Sequence, residues 1–124
     1  MAIVASIGLL FSAISLVAPG DELNGNSLTA VRSDGAQGVA HFESATVVSF
    51  TGAYEDNVFT ARGTYLVKDG QLCLELEDSP KDCWEYPKPM EVGVETNLKN
   101  ADGVLTARFT LHRGLSAKLP EPDQ

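Results

Sequence analysis

The chain has 124 residues with nine basic and 17 acidic side chains, a net charge of −8, and 44% hydrophobic residues. That length allows one domain rather than two. The acidic balance excludes a nucleic-acid surface, which needs clustered Lys and Arg. Every ionisable side chain falls after Gly20, so the charge belongs to residues 21–124 alone.

The first element is the charge-free run Ala2 to Ala18, AIVASIGLLFSAISLVA. Read as an export signal, it has a short apolar core and small residues at Ala18 and Gly20, which suits cleavage after Gly20; it lacks a basic residue ahead of that core. Read as a retained anchor, its 17 residues extend roughly 26 Å as a helix, at the short end for a bilayer. Pro19-Gly20 would then end the helix at the interface, with membrane contact through residues 2–18. A buried helix of a soluble protein is the third reading, disfavoured because the run has no polar face. The first two readings place a β domain, residues 21–119, in the periplasm, either soluble or anchored.

The body has the pattern of strands. Val, Thr, Phe and Leu fill runs separated by Gly and Asn/Asp punctuation every 8–12 residues, and no window keeps a helical apolar period for three turns. Strands are predicted near 26–32, 37–43, 46–53, 58–68, 71–77, 83–87, 90–96 and 104–112. The turns between them are Ser33-Asp34-Gly35, Glu55-Asp56-Asn57, Asp69-Gly70, Asp78-Ser79-Pro80 and Asn100-Ala101-Asp102-Gly103. Asp69-Gly70 is the clearest, because Asp-Gly readily takes the two positive φ angles of a two-residue hairpin loop. Alternation sets the faces of the later strands. Leu72, Leu74 and Leu76 oppose Gln71, Cys73, Glu75 and Glu77. Trp84 and Tyr86 alternate with Cys83 and Glu85. Met90, Val92 and Val94 oppose Glu91 and Glu95, and Leu105, Ala107, Phe109 and Leu111 oppose Thr106, Arg108, Thr110 and His112. One apolar and one polar face per strand is the pattern of an antiparallel sheet with one wet side. The expected fold is an all-β meander of about eight strands, curled into a barrel or folded as a sandwich, after an N-terminal hydrophobic helix. Residues 120–124, with Pro120 and Pro122, read as a flexible tail.

Cys73 and Cys83 fall on the polar face of adjacent strands, and a hairpin centred on Asp78 sets them directly opposite. The expectation is a cross-strand disulfide worth roughly 3 kcal/mol. Zinc would need further ligands and closer spacing, and a catalytic thiol would need a paired His that nothing in the sequence supplies. Around this hairpin Glu75, Glu77, Asp78 and Asp82 offer a partner surface or, more simply, a solvated acidic edge. His41 and His112 read as exposed polar-face residues, too few for a metal. No nucleophile elbow, phosphate loop or H-E-x-x-H motif occurs. No cofactor is expected. The aromatics Phe42, Phe50, Phe59, Tyr65, Trp84 and Tyr86 either fill the core, the preferred expectation, or line a ligand cavity.

Asn24-Gly25-Asn26-Ser27-Leu28-Thr29, Asp34-Gly35, Phe42, Gly63-Thr64-Tyr65-Leu66-Val67-Lys68-Asp69-Gly70-Gln71-Leu72-Cys73 and Cys83 occur in an order that resembles a domain-of-unknown-function family of small exported Gram-negative proteins. The likeness covers roughly residues 23–86, with Tyr65 where that family more often has Trp and an added strand pair after Pro89. It implies an exported β domain with a paired cysteine hairpin and no assigned activity. The leading expectation is a non-catalytic exported domain that binds a protein partner, in the periplasm or as an accessory subunit of a membrane complex. A lipocalin-like carrier of a small apolar ligand is the second, marked by an empty interior of several hundred cubic ångströms. An enzyme is the third, and requires Glu75, Glu85, His41 or His112 to converge in one cleft.

Overall fold

The computed structural model describes residues 18–120. The signal-or-anchor run 2–18, apart from Ala18, and most of the expected tail therefore lie outside the described residues. Among the described residues no helix is long and apolar enough to cross a membrane.

A short 3-10 turn, Asp21–Leu23, leads into eight strands: β1 Ser27–Arg32, β2 Gln37–Phe42, β3 Val47–Tyr54, β4 Asn57–Lys68, β5 Gln71–Leu76, β6 Asp82–Glu85, β7 Glu95–Lys99 and β8 Thr106–His112. All pair antiparallel in the order β6-β5-β4-β3-β2-β1-β8-β7. The two ends of this sheet meet through a bridge between Trp84 and Asn100 and a hydrogen bond of 2.9 Å from the Ala101 amide to the Cys83 carbonyl. The result is a nearly closed up-and-down barrel rather than a sandwich. Eight strands enclose an interior just wide enough for side chains or for one small ligand.

Period-two alternation places Leu28 and Ala30 of β1, Gly38, Ala40 and Phe42 of β2, Val48, Phe50 and Gly52 of β3, and Ala107, Phe109 and Leu111 of β8 on one face. Most of these are buried, so this face is the concave one. Asp69 and Gly70 both have positive φ, 54° and 77°, as the two-residue hairpin requires. At Gly63 two strands approach closely. A Cβ there would lie 2.0 Å from the Glu75 carbonyl oxygen, so only glycine lets β5 press this closely on β4.

The expected strand at 90–96 is displaced. The seventh strand begins at Glu95, and of Met90, Val92 and Val94 only Met90 is buried. Pro87 and Pro89 cannot donate to a ladder, and Gly93 takes a positive φ of 84°, so the chain crosses the barrel end irregularly before it can pair.

Candidate functional site

The two ends of the barrel differ. At the floor the 3-10 turn inserts Leu23, which is fully buried with Phe42, Val48, Leu111 and Tyr86. Phe42 and Tyr65 meet edge to face at 4.6 Å, an arrangement worth about 1 kcal/mol beyond their burial. Tyr86 donates its hydroxyl to the Glu22 carboxylate, whose oxygens also accept from the Gly20 amide at 3.0 Å and the Met90 amide at 3.3 Å. Burial, and then the neighbouring Glu22 carboxylate, push the Tyr86 hydroxyl far above the usual tyrosine range. Burial also raises Tyr65, with Asp21 and Glu22 adding to it. One carboxylate thus ties the 3-10 turn, the β6 end and the crossing loop into a plug.

The opposite end is open. Above the floor lies a cavity of about 530 Å³. Its walls are apolar: Leu28, Ala30, Ala40, Phe50, Leu72, Leu74, Leu76, Trp84 and Phe109 all contribute. The small inward residues Ala30 and Ala40 contribute little bulk to this space, while Gly38 and Gly52 admit the rings laid over them: a Cβ would lie 2.6 Å from Phe50 at Gly38 and 2.7 Å from Phe59 at Gly52. Trp84 and Phe109 pack edge to face at 5.3 Å on one wall. Such a volume and lining fall within the range of small-molecule sites.

Polar groups gather only at the mouth. Arg32 is the inward residue at the end of β1, and its guanidinium pairs with Asp34 in the following turn, with Nε at 3.1 Å from Oδ1. That hydrogen bond raises Arg32 and holds Asp34 below its ordinary value. Asp82, the inward residue at the start of β6, accepts from the Trp84 indole at 3.2 Å. Gln37, Ser79 and Lys81 complete the rim.

Cys73 and Cys83 stand opposite one another in the register and form the disulfide. The four carboxylates named as a partner surface are all exposed and are placed differently. Glu75 and Glu77 lie outside the barrel, Asp78 takes the left-handed turn position with φ 57°, and Asp82 faces the mouth. The aromatic set serves both expectations: Phe42, Tyr65, Trp84 and Tyr86 belong to the buried core, while Phe42, Phe50, Phe59 and Trp84 line the cavity.

His41 and His112 flank Ser27 across three neighbouring strands on the convex face, half-buried rather than exposed as expected. The C-terminal segment lies over this row. His41 Nε2 donates to the Ala117 carbonyl at 2.8 Å, fully buried Ser27 donates to the Gly114 carbonyl at 2.7 Å, and His112 shares a 2.8 Å hydrogen bond with Thr29. Strap contacts on both sides of Ser27 explain its burial on a face expected to be wet. The histidines sit on β2 and β8, whereas Glu75 and Glu85 sit on β5 and β6, so these four do not converge in one cleft. No group of three or more potential metal ligands occurs among the described residues.

Arg32, Gly38 and Gly52 were not singled out from the sequence. The available signal for the glycines was the set of small residues at 30, 38, 40 and 52, legible only once the inward parity of the early strands is known. No family model, curated protein or solved structure matches the chain.

Proposed function

We propose that the chain is a non-catalytic β-barrel carrier that takes one small apolar ligand through the open end of the barrel. The observation that carries this reading is the cavity of about 530 Å³, walled by Leu, Ala and aromatic side chains above a plugged floor. A domain that used only its outer surface would have no need of an apolar space of this size, and filling it would add stability at about 25 cal/mol per Å² of apolar surface buried. That contrast moves the carrier reading ahead of protein-partner binding. The disulfide is compatible with an oxidising compartment, in keeping with export to the periplasm.

The test is a titration of the purified chain with N-phenyl-1-naphthylamine, an uncharged apolar fluorophore. Trp84 is the single tryptophan and lies in the cavity wall, so energy transfer from it reports occupancy at the site. Saturable binding of one probe per chain, reduced by Ala30→Phe, is the expected result. Absence of saturation, or binding unchanged by Ala30→Phe, would discard the carrier reading.

A further inference from the structure

β4 is twice as long as its neighbour β5, and the difference leaves an edge unpaired. β3 pairs with β4 from Asn57 to Thr64, and the Tyr65 amide bonds the Thr46 carbonyl just before β3, but β5 begins to pair only at Gly63. The last contact on that side is the Glu77 amide donating to the Arg62 carbonyl at 3.0 Å. Backbone groups alternate sides along a strand, so Thr60 and Val58 turn their N–H and C=O the same way as Arg62. Among the described residues nothing pairs with them. Asn57 to Thr60 are all exposed, and Val58 and Phe59 are 65% and 51% accessible, an apolar stretch on an open sheet edge. Edges of this kind are normally blunted by Lys, Pro or a bulge. Residues 57–61, Asn-Val-Phe-Thr-Ala, carry none of these.

The segment is complementary to itself. In an antiparallel pairing that sets Val58 against Thr60 of a second copy, Phe59 lies on the two-fold axis. Val58 and Thr60 then exchange hydrogen bonds with Thr60 and Val58 of the other chain, which satisfies the free backbone groups of these two residues on both edges. The same register brings the Asp56 side chain toward Arg62, which already pairs with Glu43, at each end of an otherwise uncharged contact between chains of net charge −8, so opposite rather than like charges flank it. Shifting the register by two residues loses this. One shift leaves Thr60 against Asp56 in the turn, and the other sets Val58 against Arg62, whose carbonyl Glu77 already occupies.

We infer that residues 57–61 of β4 pair antiparallel with the same residues of a second copy, in the register Val58 to Thr60, joining two barrels beside their mouths. A single added strand contact is at the small end of specific interfaces, below about 1,200 Å², so the dimer is reversible. The pairing is argued from backbone groups of β4 and not from the carrier reading, although Phe59 also lines the cavity mouth.

The experiment is sedimentation of the full chain, in a detergent that keeps residues 1–20 dispersed, across micromolar to millimolar concentration. It is paired with hydrogen exchange and single-cysteine cross-linking. A monomer–dimer equilibrium is expected, with Val58 and Thr60 amides protected only as the dimer fills. Thr60→Pro removes an N–H that points away from β3, so the barrel keeps its ladder while the dimer loses two hydrogen bonds; association is expected to weaken by about thirtyfold. Phe59 faces its own copy across a non-hydrogen-bonded site, where Cα atoms approach to about 4.5 Å, close enough for a disulfide. Phe59→Cys is therefore expected to cross-link two chains under oxidation, while Val58→Cys and Thr60→Cys are not. A monomer at every concentration would overturn the inference. So would amide protection independent of concentration, which means that the chain covers its own edge, or dimers that ignore Thr60→Pro, or equal cross-linking at all three positions.

Discussion

The floor and the mouth of this barrel are built from the same eight strands and reach opposite ends. At the floor, large side chains meet: Leu23, Phe42, Val48, Leu111 and Tyr86 are all almost fully buried, and the Glu22 carboxylate beside them accepts three hydrogen bonds. At the mouth, the inward positions of β1 to β3 are Ala30, Gly38 and Gly52, and the polar rim residues Arg32 and Asp34 remain partly exposed. The difference shows how one sheet separates the burial that stabilises it from the space that it leaves open. It also makes the two ends respond differently to substitution.

The largest contrast is expected in the core. Leu23→Ala removes a fully buried side chain from the plug and should cost about 3 kcal/mol, whereas Leu76→Ala, on the cavity wall, should cost about 1 kcal/mol because it enlarges an existing space. Denaturant unfolding of both variants measures this, and equal losses would break the distinction between the ends. Replacing both cysteines, Cys73→Ser with Cys83→Ser, should cost about 3 kcal/mol, as the link closes a loop with a sequence separation of 10. Because the disulfide joins β5 to β6, beside the seam where the barrel is nearly closed, amide exchange should rise first in those two strands.

A smaller effect separates the ends by pH. The Tyr86 hydroxyl is raised above its unfolded value, so its contribution is complete below about pH 10, the ordinary tyrosine value, and is lost as pH rises beyond it. Stability should fall with a slope of at most about 1.4 kcal/mol per pH unit from this group. Tyr86→Phe should remove that part of the alkaline slope, and an unchanged profile would mean that the floor opens before the hydroxyl ionises. The smallest effect is at the rim. Arg32→Ala breaks a partly exposed ion pair and should change stability by less than about 1 kcal/mol.

The late strands were legible from the sequence because each has one apolar and one polar face. Leu72-Leu74-Leu76 and Ala107-Phe109-Leu111 announce their inward sides, and the turn centred on Asp78 announces that Cys73 faces Cys83. The early strands hide theirs. In β1, apolar Val31 faces outward and charged Arg32 faces inward at the rim, so hydrophobicity misassigns the face there. Small residues at 30, 38, 40 and 52 say little until closure of the sheet shows that they share one space. Closure itself depends on the Trp84–Asn100 bridge, a contact between side-by-side strand ends that no local pattern encodes. The displaced seventh strand has a simpler cause: Met90, Val92 and Val94 alternate correctly, but Pro87, Pro89 and Gly93 deny that stretch a ladder.

The most direct test of the contrast between the ends is a titration of methyl-labelled protein with N-phenyl-1-naphthylamine, followed by NMR. The account predicts that the methyls of Leu72, Leu74 and Leu76 shift and saturate at one equivalent of probe while those of Leu23 and Leu111 stay in place. Shifts confined to exposed Val58 and Leu66, or no saturable shift on the cavity wall, would contradict it.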